Sequence, residues 1–341
     1  MKTPDISIIN QTWPDSELEY VDACPYCGSI ERTIAYKNLQ DKVFYCTPGM
    51  WTSWDCKVCE SFYLSPRPTE ASIGRAYARY YTHDSSNSSL KKKIKTRLKN
   101  ECFSHWLNEN INPRINIPRY LSFLLLPLKK IIFFPFELER LVSLTKGKLL
   151  DVGCGNGDML KVAKELGWDV TGLEIDSNAV KAAREEGLYV IEGNYSILDQ
   201  FDGSFDCIVC SHVLEHVHHP LVLLELITKA LKSKGTLFLS LPNAKSHVRQ
   251  IFGENWRGTE TPRHLGIPTI DKLKECLINL NFTDIVQSNI YDVTTLESVR
   301  IKESKLSLGL GYFIYLKIKN VIIKKTAETP SDFIQLTARK K

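Results

Sequence analysis

The chain has 341 residues and a formal net charge of +5, with 43% hydrophobic and 24% charged residues. This is the composition of a soluble globular protein with room for one large domain and one or two smaller modules. The mild positive charge permits anionic partners without requiring nucleic acid. The most apolar stretch, Leu121 to Phe136, is broken by Pro127, Lys129, Lys130 and Pro135. A spanning helix needs about 20 predominantly apolar residues, so this stretch is a poor candidate. The first twenty residues hold no apolar core of signal-peptide type, and ten cysteines without one point to a reducing, cytoplasmic setting.

Residues 1–68 form a cysteine-rich head. Cys24-Pro25-Tyr26-Cys27-Gly28 and Cys56-Lys57-Val58-Cys59 are two C-x-x-C pairs. Each offers two thiolates on a tight turn, and together they complete a tetrahedral four-sulfur zinc site. The 28 residues between Cys27 and Cys56 exceed the usual ribbon spacing of roughly 15–20. A closed site leaves no open coordination position, so the zinc is expected to be structural and Cys46 a bystander. Zinc ribbons also bind nucleic acid, but Glu31 to Glu60 has few clustered basic residues, which disfavours that use.

Residues 69–145 read as a helical connector or lid. A helical stretch from Glu70 carries Tyr77, Tyr80, Tyr81 and His83, and Ser85-Ser86-Asn87-Ser88-Ser89 reads as a hinge. Leu90, Ile94, Leu98 and Cys102 then recur every four residues among Lys91, Lys92, Lys93, Lys95, Arg97 and Lys99. That pattern predicts a basic amphipathic helix. Its apolar side either packs on the protein or meets an anionic membrane surface on the inner face, as a peripheral attachment.

Residues 146–341 alternate strands with helices. Strands are predicted at Lys148 to Val152, Trp168 to Ile175, Leu188 to Glu192, Phe205 to Ser211 and Thr236 to Leu241. Helices are predicted at Asp158 to Leu166, Asn178 to Glu186 and Pro220 to Lys232. A helical insertion at about 292–325 precedes a last strand, Asp332 to Ala338. The alternation argues for a doubly wound α/β sheet with helices on both faces.

Between the first of these strands and its helix runs Asp151-Val152-Gly153-Cys154-Gly155-Asn156-Gly157-Asp158. Glycines there let the backbone approach a ligand while the next helix offers unpaired N–H groups. A dinucleotide fingerprint would need glycine at 158, where Asp158 stands, and a pyrophosphate would be repelled by that carboxylate. Asp151 and Asp158 suit a cationic ligand instead, and Glu174, at the end of the next strand, can accept from both hydroxyls of a ribose. Both features together point to S-adenosylmethionine.

After the fourth strand comes Ser211-His212-Val213-Leu214-Glu215-His216-Val217-His218-His219-Pro220. A neutral histidine there can take the proton of an acceptor hydroxyl. His216 is the first choice for that base and Glu215 its orienter. A helical turn would put His212, Glu215 and His216 on one face. His264, in Trp256-Arg257-Gly258-Thr259-Glu260-Thr261-Pro262-Arg263-His264, could complete a metal site. Three readings stay open: a base without metal, a metal site, and histidines that serve structure or cofactor positioning. His218 and His219 are expected to be exposed. Cys207 and Cys210 fall within a strand and are expected in the core.

Leu149 to Gly157, Gly172-Leu173-Glu174-Ile175-Asp176, Phe205-Asp206 and Leu214-Glu215-His216-Val217 together resemble the class I methyltransferases. The likeness covers roughly residues 146 to 290 and is strongest to the branch of ubiquinone-pathway O-methyltransferases and enzymes of sugar and polysaccharide tailoring. It implies a seven-stranded Rossmann-like sheet with the last strand antiparallel, and S-adenosylmethionine over the glycine loop. The cofactor set it implies is Asp151, Gly153, Cys154, Gly155, Gly157, Glu174, Ile175, Asn194, Ser211 and Tyr81, with Gly193-Asn194 beside the adenine. Some relatives hold a divalent metal through two glutamates and two histidines; here His212 stands for the first glutamate. Phe62-Tyr63-Leu64-Ser65-Pro66-Arg67-Pro68 is similar to the N-terminal part of sugar and polysaccharide methyltransferases, whose head helps cover the substrate. Ser211-His212-Val213-Leu214 replaces the Asn/Asp-Pro-Pro-Tyr/Phe motif of amine and amide N-methylation.

The expected function is methylation of a hydroxyl or carbon of a sugar, glycolipid or related small molecule, in polysaccharide or natural-product biosynthesis. An RNA ribose methyltransferase and a non-catalytic cofactor-binding scaffold are the alternatives.

Overall fold

A computed structural model describes residues 7–77, 90–118, 120–121, 125, 136–290, 294–303 and 330–341. Tyr80, Tyr81, His83, the expected hinge at 85–89, most of the 121–136 stretch and most of the expected insertion at 292–325 lie outside the described residues.

The first strands are short: β1 (Leu18–Glu19), β2 (Arg32–Leu39), β3 (Trp51–Cys56), β4 (Phe62–Leu64) and β5 (Arg67–Pro68). The helices α1 (Leu90–Leu107) and α2 (Phe136–Ser143) follow. The alternating part then runs β6 (Lys148–Val152), α3 (Asp158–Glu165), β7 (Asp169–Glu174), α4 (Ser177–Glu185), β8 (Val190–Glu192), β9 (Phe205–Ser211), α5 (Pro220–Ala230) and β10 (Leu231–Pro242). The last elements are α6 (His247–Phe252), β11 (Gly266–Ile267), α7 (Ile270–Asn279), β12 (Phe282–Gln287), α8 (Thr295–Lys302) and β13 (Phe333–Lys340).

Seven strands make one sheet in the order β12-β13-β10-β9-β6-β7-β8. β6 pairs in parallel with both β7 and β9, and β7 with β8. Ser288 N–H donates to Gln335 O while Asp332 N–H donates to Ile290 O, so the last strand runs antiparallel to the chain entering from β12. β6 and β9 are buried over most of their length, as expected of strands covered by helices on both faces. α4 shows how the sequence builds these layers. The Asp176 side chain caps it by accepting from Asn178 N–H, and Ala179, Val180 and Ala183 turn one stripe inward.

The chain divides into two compact units, neither of them contiguous, so the division into 1–68, 69–145 and 146–341 is not the division into compact units. One unit comprises 81–210, 226–238 and 340–341. Its core gathers Phe103, Leu138 and Leu141 with Leu149, Leu160, Val180, Val209 and Phe238. Full burial of each such side chain contributes about 1.5–3 kcal/mol. Cys207 and Cys210 are buried on β9, as expected. Within α1, Cys102 is buried but Ile94 is exposed, so the four-residue stripe is covered only toward the helix's end.

The other unit comprises 1–80, 211–225 and 239–339. In it β2, β3 and β4 form an antiparallel sheet that β11 joins at the β4 edge, in the order β11-β4-β3-β2. The head is therefore completed by residues 266–267, a pairing that no local pattern announces. Trp13, Leu39, Trp51, Leu64 and Ala76 fill one side, and Phe62, Ala244, Val248, Trp256 and Ile267 another. Arg249 binds both oxygens of Asp55, at 2.7 and 2.8 Å, and so ties β3 to α6. The helix expected from Glu70 is a 3₁₀ turn, Ile73–Tyr77, among the described residues.

Candidate functional site

Three clusters hold the residues singled out above, one in the unit that includes 81–210 and two in the other. In the first, the turn after β6 is built on left-handed glycines, with φ of 74° at Gly153, 54° at Gly155 and 77° at Gly157. At Gly157 a Cβ would also stand 2.2 Å from Leu188 Cδ1, so only glycine fits. Glu174 closes this loop from the end of β7. Its Oε2 accepts from Gly155 N–H at 2.8 Å, and its Oε1 from Ile175 and Asp176 N–H at 2.8 and 2.9 Å. Oε1 is filled by its two bonds, while Oε2 has room for one more, so it can still accept a ribose hydroxyl.

Asp151 and Cys154 are buried beside the loop. Burial, and then the charges of Glu137 and Glu174, push the Asp151 carboxyl well above its ordinary value. A cationic ligand would draw it back to the charged form. Asn194 caps the turn Tyr195–Gln200, its Oδ1 accepting from Ser196 N–H at 2.9 Å. These groups fit S-adenosylmethionine: a backbone cradle, a ribose acceptor and a buried acid for a cation. Ser211 belongs to the other unit.

The second cluster gathers Glu215, His216 and His264, whose ligand-capable atoms all lie within 4.8 Å of one another. Glu215 and His216 sit on a 3₁₀ turn, Leu214–His216, that follows the carboxyl end of β9. The expected single helical face is not formed, because His212 has a left-handed φ of 57° and leaves the turn. His212 Nδ1 stands 3.3 Å from Glu215 Oε1. Burial pushes the Glu215 carboxyl up, but His212, His216 and His264 together bring it below its ordinary value. Its other oxygen, Oε2, is buried without a hydrogen-bond partner among the described residues.

The orienter of His216 is not Glu215. His216 Nδ1 lies 3.1 Å from the Arg263 carbonyl and 3.0 Å from the Tyr77 hydroxyl. A carbonyl only accepts, so Nδ1 carries a proton, and in the neutral ring Nε2 then carries the lone pair. His264 donates from Nδ1 to Gly258 O at 2.7 Å, and its Nε2 faces Glu260 Oε2 at 3.5 Å. The two rings meet edge-on, with centroids 4.7 Å apart. Burial pushes His264 down to about 4. Glu260 is itself left-handed, at φ 27°, and Arg257 and Arg263 hold it. Non-glycine residues in this region cost of order 1–3 kcal/mol and gather at functional sites.

His218, expected to be exposed, is buried and donates to Pro68 O at 2.9 Å, since Arg67 and Pro68 of β5 cover it. His219 is exposed, as expected, beside Glu70.

The four cysteines come together in the same unit as the histidines. Cys24 and Cys59 sulfurs are 3.5 Å apart, as are those of Cys27 and Cys56, and none is in a disulfide. The two turns are alike. Gly28 N–H donates to Cys24 O and Glu60 N–H to Cys56 O, with φ of 72° at Gly28 and 57° at Glu60. The hydrogen bond from Cys24 holds the Cys59 thiol down to about 4, while burial pushes Cys27 up to about 11. Mutually close sulfurs, one already favouring thiolate, suit a zinc ion. Cys46 is outside this set.

Asp41, Glu260 and the backbone carbonyls of Gly258 and Arg263 carry no sequence signal of their own. Glu260 and Arg263 stand near His264, which was the only pointer to them.

Residues 129–287 match the family described as "Methyltransferase domain". A ubiquinone biosynthesis O-methyltransferase of Xanthomonas campestris pv. campestris (strain B100) is 36% identical over 109 residues, 30% of this chain and 46% of that protein. One of Idiomarina loihiensis is 35% identical over 128 residues, 34% of this chain and 52% of that protein. The chain thus spans about half the length of the curated relatives it matches. Among solved structures, a SAM dependent methyltransferase from Archaeoglobus fulgidus aligns at a TM-score of 0.45 and 21% identity, over 60% of this chain and 91% of that one. The family match, the glycine loop closed by Glu174 and the strand order agree, and residues 129–287 carry a methyltransferase domain of the class I, S-adenosylmethionine-dependent kind.

Proposed function

We propose that the chain transfers a methyl group from S-adenosylmethionine to a hydroxyl of a small molecule. The observation that carries this is Glu174, which joins the end of β7 to the glycine loop through Gly155. Asp151, Gly153, Cys154, Gly155, Gly157, Glu174, Ile175 and Asn194 would hold the cofactor, with Ser211 and Tyr81 as further members of the set. When bound, S-adenosylmethionine supplies an electrophilic methyl group on a sulfonium. His216 Nε2 takes the acceptor's proton as its oxygen is alkylated, and Tyr77 and the Arg263 carbonyl keep that nitrogen free. Proximity and orientation supply much of the rate and the base only part.

The relatives' name favours an oxygen acceptor on a small molecule; a sugar, a glycolipid or a carbon acceptor remains within the same reading. Labelled methyl transfer against phenols, nucleotide sugars, glycolipids and RNA tests it. Cofactor binding without turnover on any acceptor would leave a binding protein, and turnover on RNA alone would favour ribose methylation.

A second reading places a divalent ion on Glu215, His216 and His264. The partnerless Glu215 Oε2 favours it. In either reading Cys24, Cys27, Cys56 and Cys59 hold one structural zinc. Among the described residues, no helix is long and apolar enough to cross a membrane. Peripheral attachment through the basic segment from Leu90 is part of the proposal, and sedimentation with anionic vesicles at low salt tests it.

A further inference from the structure

The 28 residues between Cys27 and Cys56 include Asp41, just past β2, which is completely buried. Its carboxylate faces the Arg263 guanidinium, which is also completely buried. Arg263 Nη2 donates to Asp41 Oδ1 at 2.7 Å and Nη1 to Oδ2 at 3.2 Å. Asp41 also accepts the N–H groups of Phe44 and Cys46, both at 3.1 Å, so its own loop is wrapped around the charge. Arg263 reaches Thr47 Oγ1 at 2.8 Å, Ala76 O at 3.1 Å and Glu260 Oε1 at 3.1 Å, and Phe44 lies against its guanidinium. A buried arginine with this many fixed partners has one place to be, and its backbone follows.

That backbone is what His216 reads. The Arg263 N–H donates to Glu260 O at 2.9 Å, and the Arg263 carbonyl faces His216 Nδ1. We infer that Asp41 is a positioning residue for His216: through Arg263 it fixes the carbonyl that keeps the ring proton on Nδ1 and the lone pair on Nε2. The long spacing between the cysteine pairs accommodates this anchor. The kinetic consequence rests on His216 being the base; the tautomer does not. The other groups facing His216 are Tyr77, Glu215 and His264, with Glu260 behind His264, and none of them supplies a second obligate acceptor to Nδ1.

The test uses the full chain with ¹⁵N-labelled histidine, and long-range ¹H–¹⁵N spectra at a pH where the His216 ring is neutral. The His216 signals are assigned by their loss in His216→Gln. The wild-type chain should show protonated Nδ1 and unprotonated Nε2. Asp41→Asn should move a substantial fraction of the proton to Nε2. It should also lower kcat by roughly tenfold or more, with KM for cofactor and zinc content unchanged. An unchanged tautomer in folded Asp41→Asn overturns the inference. Should Asp41→Asn lose its near-UV circular dichroism, Thr47→Val carries the test. It removes one bond from Arg263 to an uncharged acceptor, together with the Thr47 bond to Ala76 O, and a smaller shift in the same direction is expected; no shift overturns the inference. If His216→Ala keeps its turnover while Asp41→Asn still moves the proton, the base assignment fails and the positioning stands.

Discussion

Glu174 Oε2 accepts the N–H of Gly155 at 2.8 Å, so the acid expected to bind a ribose also shapes the loop beneath it. Replacing Glu174 therefore removes a ligand contact and a loop contact together. Glu174→Ala should weaken binding of S-adenosylmethionine and its demethylated product by roughly tenfold to a hundredfold, from the loss of charge-assisted bonds. Gly155→Val should do the same by forcing a β-branched residue to a φ of 54°. Calorimetry measures both, and tight NADH binding without response to S-adenosylmethionine would reject the cofactor assignment.

Asp151 gives a pH-dependent expectation. Its carboxyl is raised above the ordinary 3.8 by burial first, then by Glu137 and Glu174. A raised acid favours the fold while protonated. Its contribution is fully present below about pH 3.8 and is lost as pH rises through the raised value. Asp151→Asn should therefore be more stable than the wild-type chain at neutral pH without cofactor, by a margin that shrinks on acidification. It should bind the cationic cofactor more weakly. Urea unfolding at pH 5 and 8, with and without cofactor, separates the two effects. A variant less stable at both pH values would contradict the expectation.

The four sulfurs should hold one zinc ion per chain in protein purified without chelators. Removing it should destabilise the antiparallel sheet β2–β3–β4, since the two turns it joins flank that sheet. Elemental analysis and thermal unfolding measure this. A disulfide between Cys24 and Cys27 or between Cys56 and Cys59 would be the contrary result.

His216→Ala should lower turnover by roughly 10²–10⁴-fold while cofactor affinity stays nearly intact. His264→Ala should act mainly on acceptor binding if no metal joins the rings. Loss of activity on chelation, with rescue by an added divalent ion, would favour the metal reading instead. Near-normal turnover in His216→Ala would remove the base and turn attention to Tyr80, Tyr81 or His83.

The sequence alone determined what depends on near neighbours. The strand Lys148–Val152, the glycine turn after it and Glu174 at the end of β7 follow from runs of apolar residues and glycine spacing. So do the two cysteine turns, each closed within a few residues, because such geometry needs no distant partner. Only the tertiary structure decided the surroundings. His218 reads as exposed beside Pro220, yet Arg67 and Pro68 cover it from about 150 positions away. Glu215 reads as the partner of its neighbour His216, yet left-handed His212 claims one of its oxygens. The carbonyl that His216 meets belongs to Arg263, which is held by Asp41, 222 residues earlier. A buried charge must find its counter-charge wherever the fold brings one, and no local period records where that is.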